Sequence, residues 1–343
     1  MTQIELTKGP LLDEKGNLTE AGFSTSLVKD YSRALIKACS LRIKEWDYYF
    51  IGTQRYGVAL TIADNSYMGL GSISVMNFET GFWKTKSQMT FMPRGKTNFP
   101  SSSTSGDVSF NHKNLRIDFF NDGQKRRLIA HFDNFIDNQD FDCDITLKEM
   151  PVHQSMVIAT PFTKPRHFYY NQKINNLRAI GRATVGSEEF LFSGIDSQGV
   201  LDWGRGVWTY KNTWYWSSLS GLIDGQKIGF NLGYGFGDTS KATENMLFLD
   251  GKAFKTGRVM FIIPKNEHGK FDYLSPWRFT SGDEKVELTF VPILDRHDDT
   301  DAIIIKSLQH QVFGRFSGKL VFDERIIEIK DLLGFAERVT NYW

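Results

Sequence analysis

The sequence predicts an all-β protein built as two antiparallel β-barrels or curved sandwiches with few short helices. Three observations carry this expectation. Apolar residues alternate with polar or small ones along most of the chain, and Gly, Asn and Asp turns separate the alternating runs. The 343 residues, 41% hydrophobic and 14% aromatic, are enough for two cores of ordinary size. Short strands joined by turns favour antiparallel sandwiches or barrels over βαβ units.

Taken in order, the opening residues 9–20 are rich in turn formers. Leu27, Tyr31, Ala34, Leu35 and Ala38 then follow at helical spacing, which predicts one short amphipathic helix. From Leu41 the period changes. Tyr56, Val58, Leu60 and Ile62 share one face of a strand, and the pattern recurs at Leu115/Ile117/Phe119 and at Phe141/Cys143/Ile145/Leu147. Asn121-Asp122-Gly123 reads as a hairpin turn, because Asp-Gly readily takes the positive φ values that tight turns need. The run from Phe99 to Asp107 is small and polar, a surface loop.

Pro161 and Pro165 would interrupt a central strand near the midpoint, so the boundary between an N-terminal barrel (1–170) and a C-terminal barrel (171–343) is expected there. Beyond it, an Asn175-Asn176 turn is expected between two strands. Further strands follow at residues 258–263, 285–294, 302–306 and 311–322. The acidic stretch Asp295 to Asp301 lacks the spacing and glycine of a helical calcium loop and reads as a solvated inter-strand loop.

Two stretches stand out. Residues 202–216 hold four of the chain's 8 tryptophans (Trp203, Trp208, Trp214, Trp216) beside Asp202 and Arg205. In residues 227–238, Ile228, Phe230, Leu232, Tyr234 and Phe236 alternate with glycines and Asn231. A strand face of nearly bare backbone calls for tight curvature or for a bulky group lying against it. A turn at Gly221 to Gly225 suggests that the two stretches form facing walls.

Composition excludes several functions. Forty-one Lys and Arg against forty Asp and Glu give a net charge of +1 with no basic run, so nucleic acid is not an expected partner. The apolar runs fall far below the roughly 20 residues of a membrane-spanning helix. Cys39 and Cys143 lie far apart and the start lacks a signal-peptide plan, which predicts a reducing cytoplasm. No zinc signature, phosphate-binding loop or Gly-x-Ser-x-Gly elbow is present, and neither metal nor cofactor is expected.

Leu41-Arg-Ile-Lys-Glu-Trp-Asp-Tyr-Tyr, Asp202-Trp-Gly-Arg-Gly-Val-Trp, residues 229–238, Ala242-Thr-Glu-Asn and His310-Gln-Val-Phe-Gly together resemble a bacterial family known as domain of unknown function 2804, over the whole chain. That family is distantly similar to the group of carotenoid hydratases, tocopherol cyclase and fungal cyclisation enzymes. The resemblance implies two lipocalin-like barrels, while function has to be argued from the site.

Three readings of function remain open. The leading one is binding of an apolar or amphipathic small molecule, such as a lipid, isoprenoid or polyketide-like compound, in an aromatic pocket. Trp203, Arg205, Trp208, Trp214, Trp216, Tyr234, Asn245 and His310 are the candidate ligand contacts. The second is non-redox acid catalysis on such a ligand (hydration, isomerisation or cyclisation), with Asp238 as first candidate acid and Asp202 and Glu244 behind it. Each has a structural counterpart: Asp238 as a turn residue, Asp202 and Arg205 as an ion pair, the tryptophans as core, His310 as a hydrogen-bonded residue. The third is a scaffold with an aromatic surface for a protein partner.

Overall fold

The computed structural model describes residues 3–302 and 305–343. Its strands form one twelve-stranded sheet that nearly closes into a barrel, one nine-stranded sheet that curls into a half-barrel, and a small parallel pair, Gly9–Pro10 with Lys29–Asp30. Among the described residues helix is confined to two three-residue 3₁₀ turns, Arg33–Leu35 and Ser40–Arg42. The all-β, antiparallel expectation therefore holds.

The first sheet runs from the edge strand Phe82–Phe91 through Met68–Asn77, Tyr56–Asp64 and Ile43–Gly52 to Glu188–Val207, and on through Phe168–Val185 to Val108–His112. The second is centred on Lys211–Ile223, which pairs with Gln226–Tyr234 on one side and Arg325–Tyr342 on the other. Because Phe168–Val185 and Glu188–Val207 both belong to the first sheet, the chain changes sheets at Trp208–Tyr210 and not at the prolines near residue 170.

One apolar cluster, including Leu60, Phe132, Tyr170 and Trp203, fills the inside of the first barrel; another, including Phe230, Trp277 and Phe316, fills the half-barrel. Two more clusters draw residues from both sheets, and so lie in the seam between them. Strands at the seam are buried on both faces. In Phe168–Val185, Tyr170 and Ile174 point into the barrel while Asn171 and Lys173 point into the seam.

The hairpin turns behave as their residues dictate. Asp122-Gly123 links Leu115–Asn121 to Lys125–Ile136, and Asp224-Gly225, both at positive φ, joins Lys211–Ile223 to Gln226–Tyr234. Three other expectations are corrected. Residues 27–38 are not helical: Lys29–Asp30 is a short strand and Arg33–Leu35 a 3₁₀ turn. Leu27, Ile36 and Ala38 are partly buried against the first barrel's core from an irregular path, so tertiary burial outweighs the periodicity. Asn175-Asn176 is a bulge inside one long strand, with Asn176 at φ 57°. The acidic stretch is strand, paired as the end of Val286–Ala302 against Ile305–Phe322, with residues 297–300 exposed on both faces. Within the strand expected at 302–306, residues 303 and 304 lie outside the described residues.

The bare glycine face is indeed approached closely. A Cβ on Gly233 would lie 2.6 Å from Glu244 Oε1, and one on Gly229 would lie 2.9 Å from Asn176 Nδ2. The bulky neighbour is the polar centre of the seam.

Candidate functional site in the seam between the sheets

Lys173 and Asp202 are direct cross-strand partners, which aligns their side chains on the seam face. Lys173 is 3% exposed; its Nζ lies 3.0 Å from Asp202 Oδ1 and 3.8 Å from the centre of a Trp216 ring in the other sheet. Asn171 Nδ2 donates to the same carboxylate at 2.6 Å and to the Trp203 carbonyl at 2.8 Å. From the second sheet, Trp216 Nε1 donates to Asn231 Oδ1 at 2.7 Å, and Asn231 Nδ2 donates to the Glu244 carbonyl at 2.8 Å.

A second carboxyl, Glu337, stands opposite Gln311 and Trp216 in the sheet register. Its Oε1 accepts from Trp214 Nε1 at 2.8 Å and its Oε2 from Gln311 Nε2 at 3.0 Å. The Gln311 side-chain oxygen Oε1 in turn accepts from Tyr48 OH at 3.3 Å and Arg296 Nε at 3.1 Å, while Arg296 also donates to Ser74 Oγ in the first sheet. The network thus crosses the seam.

Opposing forces set the state of Glu337. Burial pushes its carboxyl up to about 7, although the Trp214 N–H and the cations Lys173 and Arg296 favour the charged form; Asp202 adds to the upward push. Burial also raises Glu244, against the pull of Lys173 and of the Asn231 hydrogen bond. Both Tyr48 and Tyr169 have phenols raised by burial, so they stay protonated.

Aromatic rings wall this polar centre. Trp208, Trp214 and Phe236 meet one another with centroids 4.8 to 5.8 Å apart, and Trp46 stacks on Tyr169 at 6.0 Å. On the other side, Tyr48 and Phe335 pack against Trp216. Phe50 and Phe335 of that cluster also line a cleft of about 220 Å³ between the sheets, together with Gln198 and Ser218. The seam thus sets ring faces around a buried carboxyl, Glu337, with the cleft opening beside Phe50 and Phe335.

The structure brings Asp202, Glu244, Trp208, Trp214 and Trp216 together, and leaves the other candidates elsewhere. Asp238 is exposed on a turn, where its carboxylate accepts the Ser240 N–H at 2.9 Å and is held below its ordinary value by that hydrogen bond. It lacks the burial a protonated acid requires. Asp202 and Arg205 are not a pair: three residues apart on a strand, they face opposite ways. Arg205 lies inside the first barrel, bound to Asp47 at 3.0 Å and stacked over Trp203.

The second part of the tryptophan stretch, with Trp214 and Trp216, is the strand next to the glycine stretch in one sheet, with Trp216 opposite Gly233, rather than a facing wall, while Trp203 belongs to the first sheet. Tyr234 stacks on Tyr215. Asn245 ties the Gly233 N–H to the Gly257 carbonyl. His310 pairs with Asp295 at 2.7 Å and stacks on Tyr273.

Lys173, Glu337, Gln311, Asn171 and Asn231 were not singled out from sequence. A polar residue in a strand buried on both faces carries the same local signal as one facing water. As for metals, His131, Asp133 and Asp140 can bring three ligand atoms within 4.8 Å of one another, but on the surface, where both His131 ring nitrogens already meet Asp133 and Asp142.

The model of the family described as "Domain of unknown function (DUF2804)" matches residues 3–343. The chain belongs to this family. No curated protein matches the sequence. Among solved structures, the DUF2804 chain is similar to a protein assigned as AttH from Nitrosomonas europaea (TM-score 0.56, 14% identity, covering 87% of this chain and 92% of that one). It is also similar to kievitone hydratase from Nectria haematococca (TM-score 0.51, 13% identity, 88% of each chain). These likenesses establish the shared two-sheet fold.

Proposed function

We propose that the protein binds an apolar or amphipathic small molecule in the seam and performs non-redox acid–base chemistry on it. One observation carries this reading: Glu337 is a buried carboxyl raised to about 7, held between Trp214 and Gln311 beside the Lys173–Asp202 pair. A group that titrates near the working pH can both give and regain a proton. In the proposed step Glu337 protonates an unsaturated carbon, the tryptophan faces stabilise the cation, and loss of a neighbouring proton or addition of water completes an isomerisation, cyclisation or hydration.

That a protein of the same fold is named a hydratase is compatible with this chemistry, but the reading rests on Glu337. Two free cysteines, exposed Cys39 and buried Cys143, suit a reducing compartment. The test is organic extraction of freshly purified protein with mass spectrometry, followed by assay of the recovered species with wild type and Glu337→Gln. Recovery of one apolar species, bound by both proteins and turned over only by wild type, is expected. A blank extract with no thermal shift across a lipid and isoprenoid panel would overturn the binding site. Undiminished turnover by Glu337→Gln would overturn the acid.

A further inference from the structure

Lys44 carries a buried amine without a hydrogen-bond partner among the described residues. It lies on Ile43–Gly52, two residues before Trp46, and is wholly buried. Its Nζ sits 4.1 Å from the centre of the Tyr67 ring and 5.7 Å from that of Trp343, and it has no hydrogen-bond partner among the described residues. Tyr67 OH and Trp343 Nε1 are likewise buried and unpartnered. Buried donors are nearly always satisfied, so three around one cage ask what they share. Each is a donor; what is missing is an acceptor.

Among the described residues none accepts a hydrogen bond from these three donors. Asp64, whose charge reaches Lys44, is already committed: Oδ1 accepts the Ser66 N–H, and Oδ2 accepts the Gly95 N–H and Thr97 Oγ1. Glu45 points to the opposite face of the strand, toward Tyr31 and Arg33. Arg42 adds a second, half-buried cation and is anchored on the Trp208 carbonyl at 2.8 Å. The surroundings are therefore cationic and rich in donors.

We infer that Lys44, Tyr67 and Trp343, backed by Arg42, form a receptor for a carboxylate oxyanion at one end of the seam. Tyr67 and Trp343 are themselves only half-buried, so the cage lies near the surface. Behind it lie Trp46 and Trp208, in contact at 5.2 Å, and Trp343 packs against the same cluster. An acid with an apolar tail has rings to lie on, whereas a small acid needs only the donors. No step proposed for Glu337 uses Lys44, and this receptor stands or falls separately.

Desolvation holds the Lys44 amine well below its ordinary value, with Arg42 pushing the same way and Asp64 opposing; Tyr67, pushed up to about 12 by burial, remains a donor. A bound carboxylate would favour the ammonium form.

Calorimetric titration of sodium acetate and of sodium dodecanoate into the purified protein tests this. Saturable one-to-one binding is expected. Lys44→Met should weaken it at least tenfold, and Tyr67→Phe should weaken it several-fold. Because Lys44→Met replaces an unpaired buried amine by an apolar chain of similar length, the variant should fold; Tyr67→Phe, which keeps the ring, is the second probe. Binding of dodecanoate alone would assign the carboxylate to an amphipathic ligand. Binding of both would make the cage a general carboxylate site. The inference is overturned by absence of saturable binding of either acid or by binding that both variants leave unchanged.

Discussion

The Lys173 ammonium lies 3.8 Å above a Trp216 ring while holding Asp202 at 3.0 Å, so one buried cation joins a carboxylate of the first sheet to an indole of the second. A pair this deeply buried is not itself a strong source of stability, but breaking it by removing one member is costly. Lys173→Met leaves Asp202 with Asn171 as its remaining close donor. We expect a loss of about 3–5 kcal/mol in urea unfolding. Lys173→Met combined with Asp202→Asn should recover a substantial part of it, and equal stability of the single and double variants would refute the pairing.

Trp216 has two duties that one substitution separates. Trp216→Phe keeps an aromatic face under Lys173 but removes the N–H that satisfies Asn231 Oδ1. A buried acceptor left unpaired costs about 1–3 kcal/mol. The loss should be absent from Trp216→Phe measured in an Asn231→Leu background, a double-mutant cycle that reads the bond directly.

Glu337 makes stability depend on pH with a definite sign. Its carboxyl is raised from the ordinary 4.5 to about 7 in the folded protein. Between those values the folded chain keeps a proton that the unfolded chain has released, so the contribution is complete below pH 4.5 and is lost as pH rises through 7. Wild type should therefore lose about 3 kcal/mol more than Glu337→Gln between pH 4.5 and pH 8. Comparing slopes rather than absolute stabilities removes the cost of the glutamine N–H₂ group facing Gln311. Parallel curves for the two proteins would sink the assignment.

Alternation and turn chemistry made the sheets legible because each reports a local requirement. The Asp-Gly turns need positive φ, and the glycine face of residues 229–233 needs room for a neighbour. The seam was not legible for an equally physical reason. The first ten residues of Phe168–Val185 are all buried, and so are the last eleven of Glu188–Val207. On such strands both faces are interior, so Lys173 and Asn171 read like solvent-facing residues although they form the polar centre. Glu337 is concealed likewise, in the wholly buried run 332–337 of Arg325–Tyr342. Asp238 was the opposite case: adjacency to an aromatic strand suggested a pocket, but the strand ends at Tyr234 and the acid lies on the turn beyond.

Gly204 offers a test of whether the aromatic wall of the seam has to keep its shape. It stands opposite Trp46 in the sheet register, and a Cβ there would overlap the Trp46 indole, which is stacked on Tyr169 at 6.0 Å with an interplanar angle of 9° and meets Trp208 at 5.2 Å. Its backbone needs no unusual conformation, so the cost of Gly204→Ala comes from displacing the indole, about 1–3 kcal/mol in urea unfolding. Gly225→Ala is the matched control: its methyl meets nothing within 4 Å, but φ of +80° charges about 1 kcal/mol for backbone strain alone. Both variants should lose stability, yet only Gly204→Ala should shift the tryptophan emission and weaken binding of whatever apolar ligand the seam retains. Equal ligand affinity in the two would mean that the Trp46 wall is packing alone and that the ligand lies against other rings.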